Sequence, residues 1–344
     1  MSDLQLDTKL RAMYTSLWAM NPPKVLAGIG QILAKGVSAD FKQLFGNDFH
    51  VAMGYYSKDL KADIGFLNSY PSRITLFFNL YLTEFIADYL FYLENKNDTV
   101  ICYIYGKQLR NFEYHTGNQE MAAFYNKMYF NAKNTLGDVR TEHYLKAIIL
   151  SEFVIIHEWA HQQEDLISPL QAQLNKMQEE MLLGLTPKDM EEIACDCSAL
   201  IIMESLKYKS KARITKEEIL GVSANLMILI NLYRCFSEFT IDSINSGNQN
   251  TTKKLDEVVD TLGKRATGLM LLIAFLQKNG DFFQNTDLIR TRDIFETTGN
   301  LLENVKHIIN TDLNNDIKSF QMLPVEEKKA YYLSEPEDVW FYYL

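Results

Sequence analysis

Cysteine and proline are both scarce in this sequence of 344 residues, with 4 and 7 copies respectively. So few cysteines exclude a disulfide-built scaffold, and Cys195 and Cys197 stand too close to bridge each other without strain. That usage points to a reducing compartment, and the cytoplasm is the expected location. Long hydrophobic runs are missing too. LMLLIAFL (269–276) and LMILI (226–230) fall far short of the roughly 20 apolar residues of a bilayer span, so no membrane partner is expected. Asp3, Asp7, Lys9 and Arg11 interrupt the N-terminus where an export signal needs an apolar stretch. Basic charge is outweighed: 34 Lys and Arg against 44 Asp and Glu leave a net charge of -10, which repels phosphate backbones. Nucleic acid is not an expected partner.

What the chain does have is apolar material, 47% hydrophobic and 12% aromatic residues, enough to bury a core in one large domain or two packed ones. Within it stands VIIHEWAHQQ (154–163). Residues four apart on a helix lie one above the other, so His157 and His161 can aim their imidazoles at one point. Glu158 is displaced by about 100° around the axis, which suits a proton acceptor beside a metal rather than a ligand to it. From Ala147 to Ala160 there is no glycine or proline, and Leu150, Phe153 and Val154 share the histidines' face, so that face is expected to be buried. With 6 histidines in the chain, such a motif arises by chance on the order of once per hundred sequences of this kind.

Two histidines do not complete a catalytic metal site, which takes three protein ligands and a water. The third is sought in EEIACDCSALIIM (191–203), on a helix that Thr186, Pro187 and Asp189 open with a capping pattern. Glu192 and Asp196 are again four apart, on a face that continues into Ala199 and Met203. Two buried carboxylates repel each other unless a cation neutralises them. Glu192 is the expected third ligand, and Asp196 the acceptor for the outer N–H of a ligating histidine. Cys195 and Cys197 point to different sides of that helix and are expected to be buried and unreactive.

His157-Glu158-Trp159-Ala160-His161 followed by Glu192-Ile193-Ala194-Cys195-Asp196 resembles the gluzincin zinc peptidases, in which a glutamate on a second helix completes the metal site. Glu192, Asp196, Ala199 and the LIIM that follows are similar to the regulatory bacterial peptidases of the ImmA/IrrE type. RITLFFNLYL ahead of the motif resembles the phage-exclusion (Lit-type) peptidases. Glycine and histidine are absent at the positions three and six after His161, where Glu164 and Ile167 stand, which excludes the metzincin pattern.

The resemblance implies a cytosolic endopeptidase carrying one zinc ion per chain, acting on a protein or peptide substrate with narrow or regulated specificity. In that chemistry zinc lowers the pKa of a water and Glu158 takes its proton as general base. Tyr233, Arg234 and His307 are candidate oxyanion stabilisers by residue type alone. The alternatives are a non-catalytic zinc-stabilised protein with a regulatory partner, and an effector protease of stress response or phage defence.

For the scaffold, FHVAMGYY (49–56), RITLFFN (73–79), TVICYIY (99–105) and LRNFEYH (109–115) are rich in β-branched and aromatic residues, the last two reading as a hairpin about Gly106-Lys107-Gln108. Elsewhere the pattern is helical, with helices expected from 24, 187 and 215, and over 252–278 and 285–310. The expected fold is α+β and mainly α-helical, with a small β-sheet packed on the active-site helix. Residues 1–210 are expected to form the metallopeptidase core and 211–344 a helical C-terminal half packed on it.

Overall fold

The computed structural model describes residues 49–55, 63–66, 74–95, 98–137, 139–181, 183–205, 249–280, 282–284, 314–333 and 340–343. The chain divides into two compact units, one of Met1–Ile155 with Glu326–Leu344 and one of Ile156–Val325.

In the first unit, strands β1 (Phe49–Tyr55), β2 (Asp63–Phe66), β3 (Ile74–Asn79) and β4 (Trp340–Tyr343) are placed by their backbones in the order β2-β3-β1-β4. β1 runs parallel to β3, and the two outer strands are antiparallel to their neighbours. Helices α1 (Leu80–Asn95), α2 (Asp98–His115) and α3 (Gln119–Leu136) follow, and then α4 (Thr141–Ala160), whose last turn belongs to the second unit. Asn118 caps α3 by accepting from the Met121 N–H at 3.3 Å, and Gly137 ends it at φ 81°, a left-handed conformation that suits glycine.

The second unit carries α5 (Glu164–Met181), α6 (Pro187–Ser205), α7 (Gln249–Lys278) and α8 (Asn314–Gln321). The short α9 (Val325–Lys329) leads back to the first. Thr186 and Asp189 open α6 reciprocally. The Thr186 hydroxyl accepts from the Asp189 N–H at 3.1 Å, while the Asp189 carboxylate accepts from the Thr186 N–H at 2.9 Å. α5, α6 and α7 pack on one another, with Ala160, Ile167, Ala194 and Cys195 buried together and Leu170 against them. No helix among the described residues is long and apolar enough to cross a membrane.

Two expectations are corrected. The hairpin expected over 99–115 is the single helix α2. Residues 103 to 111 of α2 are buried all the way round, the polar Lys107, Gln108, Arg110 and Asn111 among the apolar ones, so polar and apolar residues do not separate into a helical period, and the β-branched and aromatic content misleads. Gly106 serves contact rather than a turn: a Cβ there would meet the Tyr129 backbone nitrogen of α3 at 2.9 Å. The α+β class with a sheet packed on the active-site helix is overturned as well. Every residue of the described buried core lies in a helix or in a turn between helices. The division expected at residue 210, and the helices expected from 24, from 215 and over 285–310, fall outside the described residues.

Candidate metal centre

The second unit begins with the last turn of α4, and its first residues are the motif. Leu150, Phe153 and Val154 are fully buried, as the periodicity requires, and the same stripe delivers His157, 1% exposed. His161 lies one residue beyond the helix end, in a turn held by the Gln162 and Gln163 N–H groups donating to the Trp159 and Ala160 carbonyls. Its ring stays close to that of His157, with centroids 5.0 Å apart and planes at 84°. Glu158, next to His157 in the sequence, is half-buried.

α6 brings the carboxylates to the histidines. Glu192 Oε2 stands 3.5 Å from His157 Nε2 and 4.0 Å from His161 Nε2, and one ligand atom from each of the three residues lies within 4.8 Å of the others. Ligand atoms about 2.0–2.1 Å from a tetrahedral ion lie roughly 3.4 Å apart, so the set is slightly wider than an occupied site requires. The donor chemistry, two imidazole nitrogens and one carboxylate oxygen, fits a divalent ion of borderline softness. These three side chains can hold a metal ion.

Each histidine is oriented from behind. Asp196 Oδ1 is 2.8 Å from His157 Nδ1, the place expected for it, and Glu191 Oε1 is 3.2 Å from His161 Nδ1. With a metal bound, both arrangements would favour the ring proton on Nδ1 and Nε2 as the ligand atom. Glu191 is a residue that the spacing of the motifs does not single out, because it precedes the ligand on a more exposed face of α6.

Sequence reasoning missed a second residue of more consequence. Arg265 of α7 is buried and sends its guanidinium to both carboxylates: Nη2 donates to Asp196 Oδ2 at 2.9 Å and stands 3.2 Å from Glu192 Oε2, while Nε donates to Asp196 Oδ2 at 3.2 Å. The cation that the buried Asp196 and the half-buried Glu192 demand is therefore supplied by the chain itself. A signal was present: Arg265 heads the stripe Leu269, Leu272 and Leu276, all buried, and a base in register with an apolar stripe needs a buried partner.

Charge follows this geometry. Burial opposes ionisation of Asp196, but Arg265 and His157 outweigh it and hold its carboxyl below the usual range. Glu192 is likewise driven down to about 2 against its burial, by His157 and Arg265. Burial works against a charge on His157, and Asp196 and Glu192 reverse it, raising the imidazole to about 9 in the metal-free chain. Burial and the neighbouring carboxylates push the Cys195 thiol up, and burial and Asp196 do the same for Cys197, so both remain thiols, as expected of inert core cysteines.

Tyr233, Arg234 and His307 lie outside the described residues. His143 is buried away from the site, with Nε2 3.1 Å from Glu94 and its ring edge-on to Phe91. No protein-family model matches the chain, and neither a curated protein nor a solved structure does.

Proposed function

We propose that this chain is a zinc-dependent endopeptidase of the cytoplasm, with narrow or regulated specificity for a protein substrate. The observation that carries the reading is the convergence of His157, His161 and Glu192, with a carboxylate behind each imidazole. The motif order, a histidine pair and then Glu192 four residues ahead of Asp196, supports it as the resemblance to gluzincins does.

His157, His161 and Glu192 would hold the ion, and bound zinc would polarise a water and the carbonyl of the scissile bond. Glu158 carries the proton traffic. Displaced by about 100° around the helix from His157, its carboxylate would take the proton of the attacking water and return it to the leaving amine. Asp196 fixes the His157 tautomer and keeps Nε2 facing inward. A regulatory protein partner is consistent with an enzyme whose free activity in the cytoplasm would be harmful.

Elemental analysis and a cleavage screen on a mixture of proteome-derived peptides test this together. The wild type is expected to hold about one zinc per chain and to cleave a narrow subset of peptides. Glu158→Gln should keep the zinc and lose at least 100-fold in turnover, while His157→Ala should lose the zinc. Equal turnover in Glu158→Gln ends the mechanism. Zinc without turnover in any form would instead make the chain a zinc-stabilised binding protein.

A further inference from the structure

We infer that Arg265 is a built-in competitor for the metal: it holds Glu192 in the metal-free chain and gives it up when a divalent ion enters. The inference rests on the metal-site reading and goes beyond it, since neither motif contains the arginine. Glu192 Oε2 is the shared atom. It lies 3.2 Å from Arg265 Nη2 and also faces both inward histidine nitrogens, at 3.5 and 4.0 Å. One carboxylate oxygen thus serves the guanidinium and the ligand set at once.

The two bonds of Arg265 are not equivalent. Asp196 Oδ2 takes both Nε and Nη2, at 3.2 and 2.9 Å, on a residue that is fully buried. Glu192 takes only Nη2, and its side chain is 22% exposed. The Asp196 contact is therefore the anchor and the Glu192 contact the part that can let go. A dication beside Glu192 Oε2 would stand within a few ångströms of the guanidinium, and their repulsion in this buried setting is far larger than the cost of reorienting one glutamate. Metal entry therefore displaces Arg265 from Glu192 and leaves it on Asp196.

The sign of the effect separates this role from a structural one. A residue that merely supports the site weakens metal binding when removed, whereas a competitor strengthens it. Arg265→Gln should bind zinc at least tenfold more tightly than wild type in competition with a chromophoric chelator at fixed pH. Its metal-free form should melt several degrees below metal-free wild type, with the gap narrowing once both are loaded. Arg265→Lys keeps a cation at Asp196 but lacks the fork that reaches both carboxylates. It should fold like wild type and bind zinc about threefold more tightly, which covers the case in which the glutamine variant fails to fold.

Zinc affinity that is unchanged or weaker in Arg265→Lys overturns the competition. A melting deficit in Arg265→Gln that is equal with and without zinc does the same. Wild type that takes up no zinc by elemental analysis defeats the metal-site reading itself, and the competition with it; wild type that takes up zinc while the variants bind no tighter defeats the competition alone.

Discussion

Asp196 serves two partners through two oxygens, Oδ1 toward His157 Nδ1 at 2.8 Å and Oδ2 toward Arg265. Replacing it by asparagine therefore does two separable things. His157 loses the acceptor that fixes its tautomer, and zinc affinity should fall about 10- to 100-fold in a chelator competition. Arg265 keeps its charge in a buried setting with half its pairing gone, so urea unfolding of the metal-free Asp196→Asn variant should show a loss on the order of 3 kcal/mol. Arg265→Gln moves zinc affinity the other way, and two neighbours with opposite signs are difficult to explain by general loosening of the fold. Glu191 offers a milder case. Its side chain is 44% exposed, so Glu191→Gln should cost His161 little beyond orientation and lower zinc affinity less than Asp196→Asn does.

At the scale of elements, two glycines sit where helices meet, and they should respond differently to alanine. A Cβ on Gly106 would strike the backbone nitrogen of Tyr129 at 2.9 Å and the Tyr125 carbonyl at 3.1 Å, so α2 and α3 must separate to admit it. A Cβ on Gly268 would meet the Ile193 Cδ1 at 2.8 Å, the far end of a side chain that can rotate. Thermal denaturation of Gly106→Ala should show a loss of about 2 to 3 kcal/mol, and that of Gly268→Ala a much smaller one. The helix starts were legible where capping chemistry is local: Thr186, Pro187 and Asp189 announce α6 four residues at a time. α2 was not, because Lys107, Gln108, Arg110 and Asn111 are buried together with its apolar residues, so no separate polar face marks its period. The glycine that reads as a hairpin turn is there to let two backbones touch.

For the molecule as a whole, the first unit sets a pH response. Burial raises Glu113 to about 7, against a hydrogen bond from Asn118, and raises Asp88 to about 7 although Lys107 beside it pulls the other way. Lys107 is one cation between two acids, 2.5 Å from Glu84 and 3.1 Å from Asp88, so burial prevails at Asp88. Both acids hold a proton more tightly folded than unfolded. Their contribution is full below about pH 4 and is lost as pH rises through about 7. Melting at pH 5 should therefore occur above melting at pH 8, and Glu113→Gln should narrow that gap by on the order of 2 kcal/mol at the upper end. None of this was visible in the sequence, where nothing near Asp88 or Glu113 marks either acid as buried. The metal centre was legible to the extent that its spacing is helical: His157 to His161 and Glu192 to Asp196 each fit one turn. Arg265 is 69 residues from Asp196, and no spacing rule reaches that far.

That distance along the chain gives the site a history. During synthesis His157, His161, Glu192 and Asp196 all leave the ribosome before Arg265 exists, so a metal ion could reach these carboxylates before the arginine does. A metal ion delivered to the nascent chain finds the seat uncontested, whereas one delivered to the finished protein must displace an arginine already in place. Loading early and loading late would then be different reactions of the same site.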